Sequence, residues 1–250
     1  MIRKMRFLSD QEGIMNRYLR ESANWQSHLQ NTQNFIMESF RDSNPETVAI
    51  LGSGWLLDLP LENLVHRFKT LLLVDIHHPV QVKNRIKDYK NVALQEIDIT
   101  GGGIEFAWRL QKNNDHNSIR SQLDSLELQA PKLMLEPDAF ISLNILNQLD
   151  IMLVDFIKDN LNFDDSDEIS LLRQKIQQFH IEWISQKKGC LISDVEEENI
   201  YDDGTVTKQS LQHTRLPDSF RSQNWVWDFD LSGYYHRGIQ TKMRVEAREW

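Results

Sequence analysis

The chain is poor in cysteine, with Cys190 as the single one among its 250 residues. One cysteine excludes an internal disulfide and is typical of a reducing compartment, so we expect a cytoplasmic protein. Long apolar runs are missing too, and no stretch approaches the roughly 20 residues that a membrane-spanning helix needs. The first residues, MIRKMRFLSDQEG, include basic side chains but neither an apolar core nor a small-residue cleavage site. We therefore expect neither a membrane span nor a secretory signal.

Basic residues are outnumbered by acidic ones, 28 Lys and Arg against 37 Asp and Glu, and the net charge is −9 at pH 7. A nucleic-acid footprint usually needs a basic face, so a small molecule or a protein is the expected partner and nucleic acid is not. His77 and His78 are adjacent, but no carboxylate or cysteine lies at metal-ligand spacing, so no metal site is expected. The composition, 40% hydrophobic and 26% charged, is ordinary for a globular chain. It indicates no particular oligomeric state.

A strand, a glycine turn, a helix and a second strand follow one another near the start of the chain. The apolar run from Val48 to Leu51 shows no polar alternation, which predicts a strand buried on both faces of a parallel sheet. It ends at Gly52-Ser53-Gly54, where missing Cβ atoms let a backbone turn sharply and approach a ligand. The second strand ends at Asp75, close to the spacing of about 20 residues expected between a glycine turn and an acid that binds ribose. This unit predicts a nucleotide-like cofactor.

Two other interpretations of the glycine turn are open. A lone turn of this kind is often needed only for helix–strand packing. In a nicotinamide site of the GxGxxG type, the third glycine would fall on Leu57, where a small residue is required. The bulk of Leu57 therefore argues against a nicotinamide cofactor.

The rest of the chain predicts an α/β fold: a doubly wound, mostly parallel sheet with a C-terminal antiparallel strand pair and an N-terminal helical extension. Three more buried strands are predicted over 91–97, 138–143 and 190–195, the first followed by Asp98 and the second by Asn144. Alternating apolar and polar residues predict the antiparallel pair, over 224–229 and 241–246. The predicted units are a helical extension or lid (1–44) and one domain (45–250) with a polar insertion near 111–136.

The helical extension carries Trp25 and His28, three residues apart and so on one helix face. One interpretation is a tryptophan packed on the core with a histidine beside it. The other is a lid over the mouth of a cofactor site.

From about residue 45 to 250 these elements resemble the class I S-adenosylmethionine-dependent methyltransferases. The resemblance implies that S-adenosylmethionine is the cofactor. It also implies that Asp75 grips the ribose hydroxyls, that Asp98 binds the adenine amino group, and that Asn144 lies under the methionine part. The cofactor-binding residues implied are Gly52, Ser53, Gly54, Asp75, Ile76, Asp98, Ile99 and Asn144.

The chain departs from that family in two places. The first strand ends at Leu51, where many members carry an acid, and only two glycines follow it. Asn144 is followed by Ile145-Leu146-Asn147 and not by the Pro-Pro-aromatic sequence of many amino-group methyltransferases, which argues against a nucleobase amine as substrate.

The predicted function is transfer of a methyl group to an unidentified small-molecule or protein acceptor. The alternative is a non-catalytic protein of the same fold that binds a nucleoside or a partner. We assign no catalytic residue, since no candidate base (His28, His77, Asp194 or His236) has a partner that spacing establishes. The substrate-side candidates are Trp25, His28, Asn147, Tyr234 and His236.

Overall fold

The computed structural model describes residues 1–113, 119–161 and 166–250, which build one eight-stranded sheet and the helices around it. The strands are β1 Thr47–Leu51, β2 Thr70–Asp75, β3 Val92–Glu96, β4 Ala139–Leu143, β5 Lys188–Ile200, β6 Val206–Ser210, β7 Arg221–Asp230 and β8 Gln240–Glu249. The helices are α1 Phe7–Glu38, α2 Leu61–Arg67, α3 Val80–Ile86, α4 Gly103–Asn113, α5 Ile119–Asp124, α6 Gln148–Leu161 and α7 Ser166–Ile184.

The strand order in the sheet is β3-β2-β1-β4-β5-β8-β7, with β6 pairing with β5 outside this path. The pairs from β3 to β5 are parallel, whereas β8 pairs antiparallel with both β5 and β7. The order reverses between β1 and β4, and ligands of open α/β sheets bind outside the carboxyl ends of the strands at such a point. The predicted fold class is confirmed.

Helices cover both faces of the central strands, as the unbroken apolar runs predict. Alternate residues of β1 belong to different layers. Ala49 and Leu51 pack in one core with residues of α4, α6 and α7. Val48 and Ile50 pack in the other, with residues of α1 and α2. The core therefore lies on both sides of the strands that carry the glycine turn and Asp75, which holds their carboxyl ends in fixed positions.

The structure differs from the sequence prediction at the end of the sheet. β5 extends to Ile200, five residues past the predicted end at position 195, and forms a hairpin with β6, which was not predicted. All five residues of β6 are exposed, so they carry no apolar pattern that could have indicated a strand. Gly204, in the turn between the two strands, has a positive φ of 82°.

The predicted helical extension forms one long helix, α1, with a non-helical residue at Glu21. Its Trp25 indole donates a hydrogen bond of 2.9 Å to the carbonyl of Phe229 in β7, so α1 is held to the sheet. The predicted polar insertion near 111–136 includes residues 114–118, which lie outside the described residues; α5 occupies part of the remainder. Over the described ranges, every helix is too short or too polar to cross a membrane.

Candidate functional site

A cavity of about 370 Å³ opens at the carboxyl ends of the parallel strands and extends beneath α1 toward β5, β8 and β7. Its volume lies in the range of small-molecule and cofactor sites. The structure brings all the predicted cofactor-binding residues into its wall: Gly52, Ser53, Gly54, Asp75, Ile76, Asp98, Ile99 and Asn144. The strand order determines how these residues are arranged along the cavity. Asp98 lies beside β3, Asp75 and the glycine turn come next, and Asn144 lies after β4.

The glycine turn is fixed by backbone contacts that leave no room for a side chain. Gly52 has a φ of 80°, and a Cβ atom there would lie 2.6 Å from the carbonyl oxygen of Leu143. Its N–H donates to the carbonyl of Val74 at 3.0 Å, which ties the turn to β2. Beside it, Ser53 Oγ lies 2.9 Å from His78 Nε2, and both side chains are buried. The turn is thus preformed and presents its backbone to the cavity.

Asp75 holds the turn from the end of β2. Its Oδ2 accepts the Gly54 N–H at 2.7 Å, and its Oδ1 accepts the Ile76 N–H at 2.8 Å. Burial raises the pKa of Asp75 to about 6 even though these backbone bonds favour the charged form. The carboxylate is therefore ionised at neutral pH, and each oxygen has lone-pair capacity left for a ligand hydroxyl.

Asp98 shapes the loop that leads into α4. Its Oδ1 accepts hydrogen bonds from both the backbone N–H and the hydroxyl of Thr100, at 2.7 and 2.6 Å. Thr100 Oγ1 in turn accepts the N–H of Ile104 in the first turn of the helix. Burial raises the pKa of Asp98. Ile99 is buried beside it and adds an apolar surface to the cavity wall.

Asp58, which was not predicted as a site residue, is a further acid in this part of the cavity. It lines the cavity, and its Oδ2 accepts a 2.6 Å hydrogen bond from Asn144 Nδ2. Burial raises the pKa of Asp58 to about 6. The only signal in the sequence was an acid shortly after the glycine turn, and its contact with Asn144 is a long-range one that spacing does not give.

Trp25 and His28 are buried in α1 and both line the cavity, so they serve as core and as cavity wall. The His28 ring stacks on Trp227 at a centroid distance of 3.9 Å, and its Nδ1 accepts the Trp225 indole N–H at 3.1 Å. Because an indole nitrogen only donates, the neutral imidazole carries its proton on Nε2. Burial lowers the pKa of His28 to about 3, which makes it a poor proton acceptor at neutral pH.

A bulge in β5 brings two carboxylates to the same side of the sheet. Asp194 pairs with Val245 and Glu196 with Arg244, so Val195 is an extra residue opposite β8. Such a bulge changes which side chains share a face. Asp194 and Glu197 consequently both line the cavity, although residues three apart in a regular strand point to opposite faces. Asp194 was predicted from the sequence as a candidate base, whereas Glu197 was not predicted.

Asn147, another predicted substrate-side residue, contacts Asp194 from the start of α6. Its Nδ2 donates to Asp194 Oδ2 at 2.5 Å, and both residues line the cavity. Burial raises the pKa of Asp194.

The loop between β7 and β8 places its side chains differently from the prediction. Tyr235 lines the cavity, whereas Tyr234 is 70% exposed and, like His236, is not part of the cavity wall over the described ranges. The reason is that Asp230, fully buried at the end of β7, accepts the backbone N–H of Tyr235 and turns that residue inward. His236 reaches the site indirectly, with its Nε2 3.0 Å from Glu197 Oε1.

The remaining predicted residues do not gather into a further site. His77 Nδ1 lies 3.3 Å from Glu96 at the end of β3, and neither residue lines the cavity. In the part of the chain that the structure describes, no group of three or more His, Cys, Asp or Glu side chains is arranged to hold a metal ion.

Among known proteins, similarity to this chain is found in solved structures. No protein-family model and no curated protein sequence matches the chain. The N-methyltransferase NodS of Bradyrhizobium japonicum, solved with S-adenosylhomocysteine, is 9% identical with a TM-score of 0.39, covering 88% of this chain and 86% of its own. The 1,6-didemethyltoxoflavin N1-methyltransferase of Burkholderia thailandensis is 10% identical with a TM-score of 0.40, covering 99% and 87%. The 23S rRNA methyltransferase ErmE is 9% identical with a TM-score of 0.32, covering 90% and 68%. Identities and TM-scores this low do not indicate a function for this chain. The functional evidence is the chain's own sheet order and side chains.

Proposed function

We propose that this chain is an S-adenosylmethionine-dependent methyltransferase that acts on a small-molecule or protein acceptor. The observation that carries the proposal is the Asp75 carboxylate, held by the N–H of Gly54 in a cavity that also contains Asp98 and Asn144. A glycine turn, an acid ending the second strand and a polar residue ending the fourth are the features by which the chain resembles that family. They lie around the point between β1 and β4 where the strand order reverses.

The residues present fit such a cofactor. A Cβ atom at Gly52 would collide with Leu143, so glycine lets the turn keep the shape that is open to a ligand. The Asp75 oxygens retain hydrogen-bonding capacity for two ribose hydroxyls. Within the described residues, Asn144 Oδ1 is buried without a hydrogen-bond partner. Together with the carboxylate of Asp58, this oxygen would hold the ammonium group in the methionine part of the cofactor.

S-adenosylmethionine supplies a methyl group made electrophilic by its sulfonium. The chain's contribution is to fix the two partners in line and to exclude water. Trp25 and the ring of Trp227 form the apolar cover of the cavity, and α1 acts as its lid. His28 is not the proton acceptor of the reaction, because its pKa is too low. A cytoplasmic location remains a prediction from the single cysteine.

Calorimetric titration of the purified chain with S-adenosylmethionine and S-adenosylhomocysteine tests the cofactor, with NADH as a control ligand. We expect binding of the first two and none of NADH. If neither nucleoside binds, the alternative of a binding protein with the same fold takes its place.

The Asp75→Asn substitution tests the site itself, and Glu96→Gln is its matched control. Glu96 pairs with Asp75 across the β2–β3 ladder but lies outside the cavity wall. We expect Asp75→Asn to weaken binding of S-adenosylhomocysteine by roughly tenfold or more, as loss of a charge-assisted hydrogen bond does. Glu96→Gln should leave binding unchanged. Equal affinities of both variants would contradict the ribose role of Asp75.

A further inference from the structure

The cavity wall is rich in negative charge, and two of its carboxylates, Asp194 and Glu197, belong to β5. Apart from Asp75 and Asp98, the carboxylates in the wall are Asp10, Asp58, Asp155, Asp194 and Glu197. Asp194 and Glu197 are 9% and 7% exposed, so they are removed from bulk water, which strengthens their interaction with any charge inside. Among the described lining residues, Arg17 is the one arginine and there is no lysine.

Arg17 does not neutralise this pair. Its guanidinium lies over the rings of Phe229 and Tyr235, at 4.4 and 4.6 Å from their centroids. Burial lowers its pKa, and the nearby Tyr235, Asp230 and Glu21 act in the opposite direction. Its charge is thus associated with the end of β7 and the kink of α1. Glu197 lies 3.0 Å from His236 Nε2, whereas Asp194 forms no ion pair within the described residues, so the carboxylates of β5 have room for a further cation.

Asn147 gives an independent indication of a ligand with hydrogen-bond donors. It is 4% exposed and lies in the cavity wall. Because a carboxylate only accepts, the Asn147 amide must direct its Nδ2 toward Asp194, and Oδ1 then faces away from it. Over the described ranges this buried Oδ1 has no hydrogen-bond partner. A buried carbonyl oxygen without a donor is costly, and a ligand N–H would satisfy it.

We infer that the acceptor is a basic amine, held as its ammonium ion by Asp194 and Glu197 with an N–H donated to Asn147 Oδ1. The inference rests on the proposed function and names the substrate class of that same site. Position supports it, since β5 follows β4 in the sheet and Asn144 donates its backbone N–H to Ile192 of β5 at 2.8 Å. The amine would therefore enter beside the end of the cofactor that Asn144 would hold.

A basic amine is preferred over a nucleobase amine on chemical grounds. An exocyclic nucleobase amine carries no charge at neutral pH, so it would leave the buried Asp194 carboxylate without a counter-ion. Before it can act as a nucleophile, an ammonium must lose a proton. Asp194 is placed to take it: the carboxylate becomes a carboxylic acid, and the nitrogen keeps the electron pair of the broken N–H bond.

Three probes with the same apolar body and different head groups test the class: 2-phenylethylamine, 2-phenylethanol and 3-phenylpropanoate. Their binding to the full chain is measured by calorimetry in the presence of saturating S-adenosylhomocysteine, and again without it. We expect the amine to bind at least about thirtyfold more tightly than either of the others, as expected where a buried charge pair is lost. The alcohol or the carboxylate binding as tightly as the amine overturns the inference, as does no binding of any probe at millimolar concentration.

Variants on one strand supply the matched control. Asp194→Asn should weaken amine binding by roughly thirtyfold, and Glu197→Gln should weaken it in the same direction. Glu196→Gln should leave it unchanged, since Glu196 lies on β5 outside the cavity wall and pairs with Lys208 at 3.3 Å. Amine binding that is equal in the Asp194 and Glu196 variants overturns the inference.

Two readouts separate this failure from a failure of the proposed function. Thermal unfolding and S-adenosylhomocysteine affinity are recorded for every variant, so a variant that has lost its fold is recognised and Glu197→Gln replaces Asp194→Asn. If S-adenosylhomocysteine does not bind the unmodified chain, the proposed function fails. The amine titration without nucleoside then still decides whether this pocket takes a cation.

Discussion

The two ends of the cavity are built in different ways. At the end formed by β1, β2 and β3, the contacting groups follow directly after parallel strands, as Gly52 and Asp75 do. At the other end, the wall comes from α1, from β5 and from β7 and β8, which extend the sheet beyond β5 in antiparallel pairs, with Glu197 and Trp227 as examples. One end is made of short segments close in the chain, and the other of segments from its beginning and its end.

The difference shows which end of the cavity is held rigidly by the backbone and which end depends on individual side chains. The strand ends are fixed by a core on both faces of the sheet, and their polar groups are held by backbone hydrogen bonds such as Gly54 to Asp75. The far end depends on side-chain contacts across the molecule, such as His28 with Trp225. We expect cofactor binding to depend on the first end and acceptor choice on the second.

The largest effect is expected from Gly52→Ala, which disrupts the end of the cavity formed by β1, β2 and β3. The new Cβ would lie 2.6 Å from a backbone oxygen at a φ of 80°, so the turn must shift. Overpacking and backbone strain together should lower the free energy of unfolding by about 3–5 kcal/mol and abolish binding of S-adenosylhomocysteine. Urea unfolding and calorimetry measure the two quantities.

Gly204→Ala is the matched control for that change. Gly204 has nearly the same φ, 82°, but no atom lies within 4 Å of its added Cβ. It should cost only the backbone strain, about 1 kcal/mol, and leave nucleoside binding intact. A similar loss in both variants would show that contact with Leu143 is not what fixes the turn.

His28→Ala perturbs the other end of the cavity and should lower the free energy of unfolding by about 2–4 kcal/mol at pH 7.5. It leaves the Trp225 N–H buried without its acceptor and removes the ring stacked on Trp227. The exposed His66→Ala, in α2, should change stability by less than about 0.5 kcal/mol. Nucleoside affinity should fall less than in Gly52→Ala.

The cost of His28→Ala should shrink on acidification. The folded-state pKa of His28 is lowered to about 3, so between its ordinary value of 6.5 and about 3 the unfolded chain binds a proton that the folded chain does not. The stability that neutral His28 contributes is thus present above pH 6.5 and is lost as the pH falls. At pH 5 the difference between wild type and variant should be smaller by about 2 kcal/mol. A difference independent of pH would mean that the pKa of His28 is the same in the folded and the unfolded chain.

A smaller effect is expected from pH on cofactor binding. Asp75 and Asp58 both have a pKa raised to about 6 by burial, so both lose their charge as the pH falls through that value. The affinity for S-adenosylhomocysteine should fall by about tenfold between pH 7.5 and 5 if the ionised form of one carboxylate binds. Asp75→Asn should flatten the part of this profile due to Asp75. A profile that is unchanged in that variant would assign the titration to Asp58.

The smallest effect sharpens the boundary of the acceptor end. Tyr234→Ala removes an exposed ring and should change stability by less than about 0.5 kcal/mol without altering binding of 2-phenylethylamine. Tyr235→Ala removes a ring from the cavity wall and the surface under Arg17, and should weaken that binding. Equal effects of the two changes would contradict the orientation of the β7–β8 loop.

The sequence by itself determined the end of the cavity formed by β1, β2 and β3. Buried parallel strands have unbroken apolar runs, and the carboxyl ends of successive strands meet at one edge of the sheet, so Asp75, Asp98 and Asn144 could be placed near Gly52 without coordinates. The same local rules predicted the fold class and the antiparallel pair at the end.

Only the tertiary structure decided the end of the cavity formed by α1, β5, β7 and β8. An extra residue, Val195, puts Asp194 and Glu197 on the same face, and strand alternation alone would have separated them. Asp58 meets Asn144, and α1 meets β7, through contacts between distant parts of the chain. Tyr235 rather than Tyr234 faces inward because a buried carboxylate, Asp230, accepts its backbone N–H. Periodicity specifies which face of an element is buried, whereas a bulge, a loop bond or a long-range side-chain contact depends on what the folded chain brings opposite it.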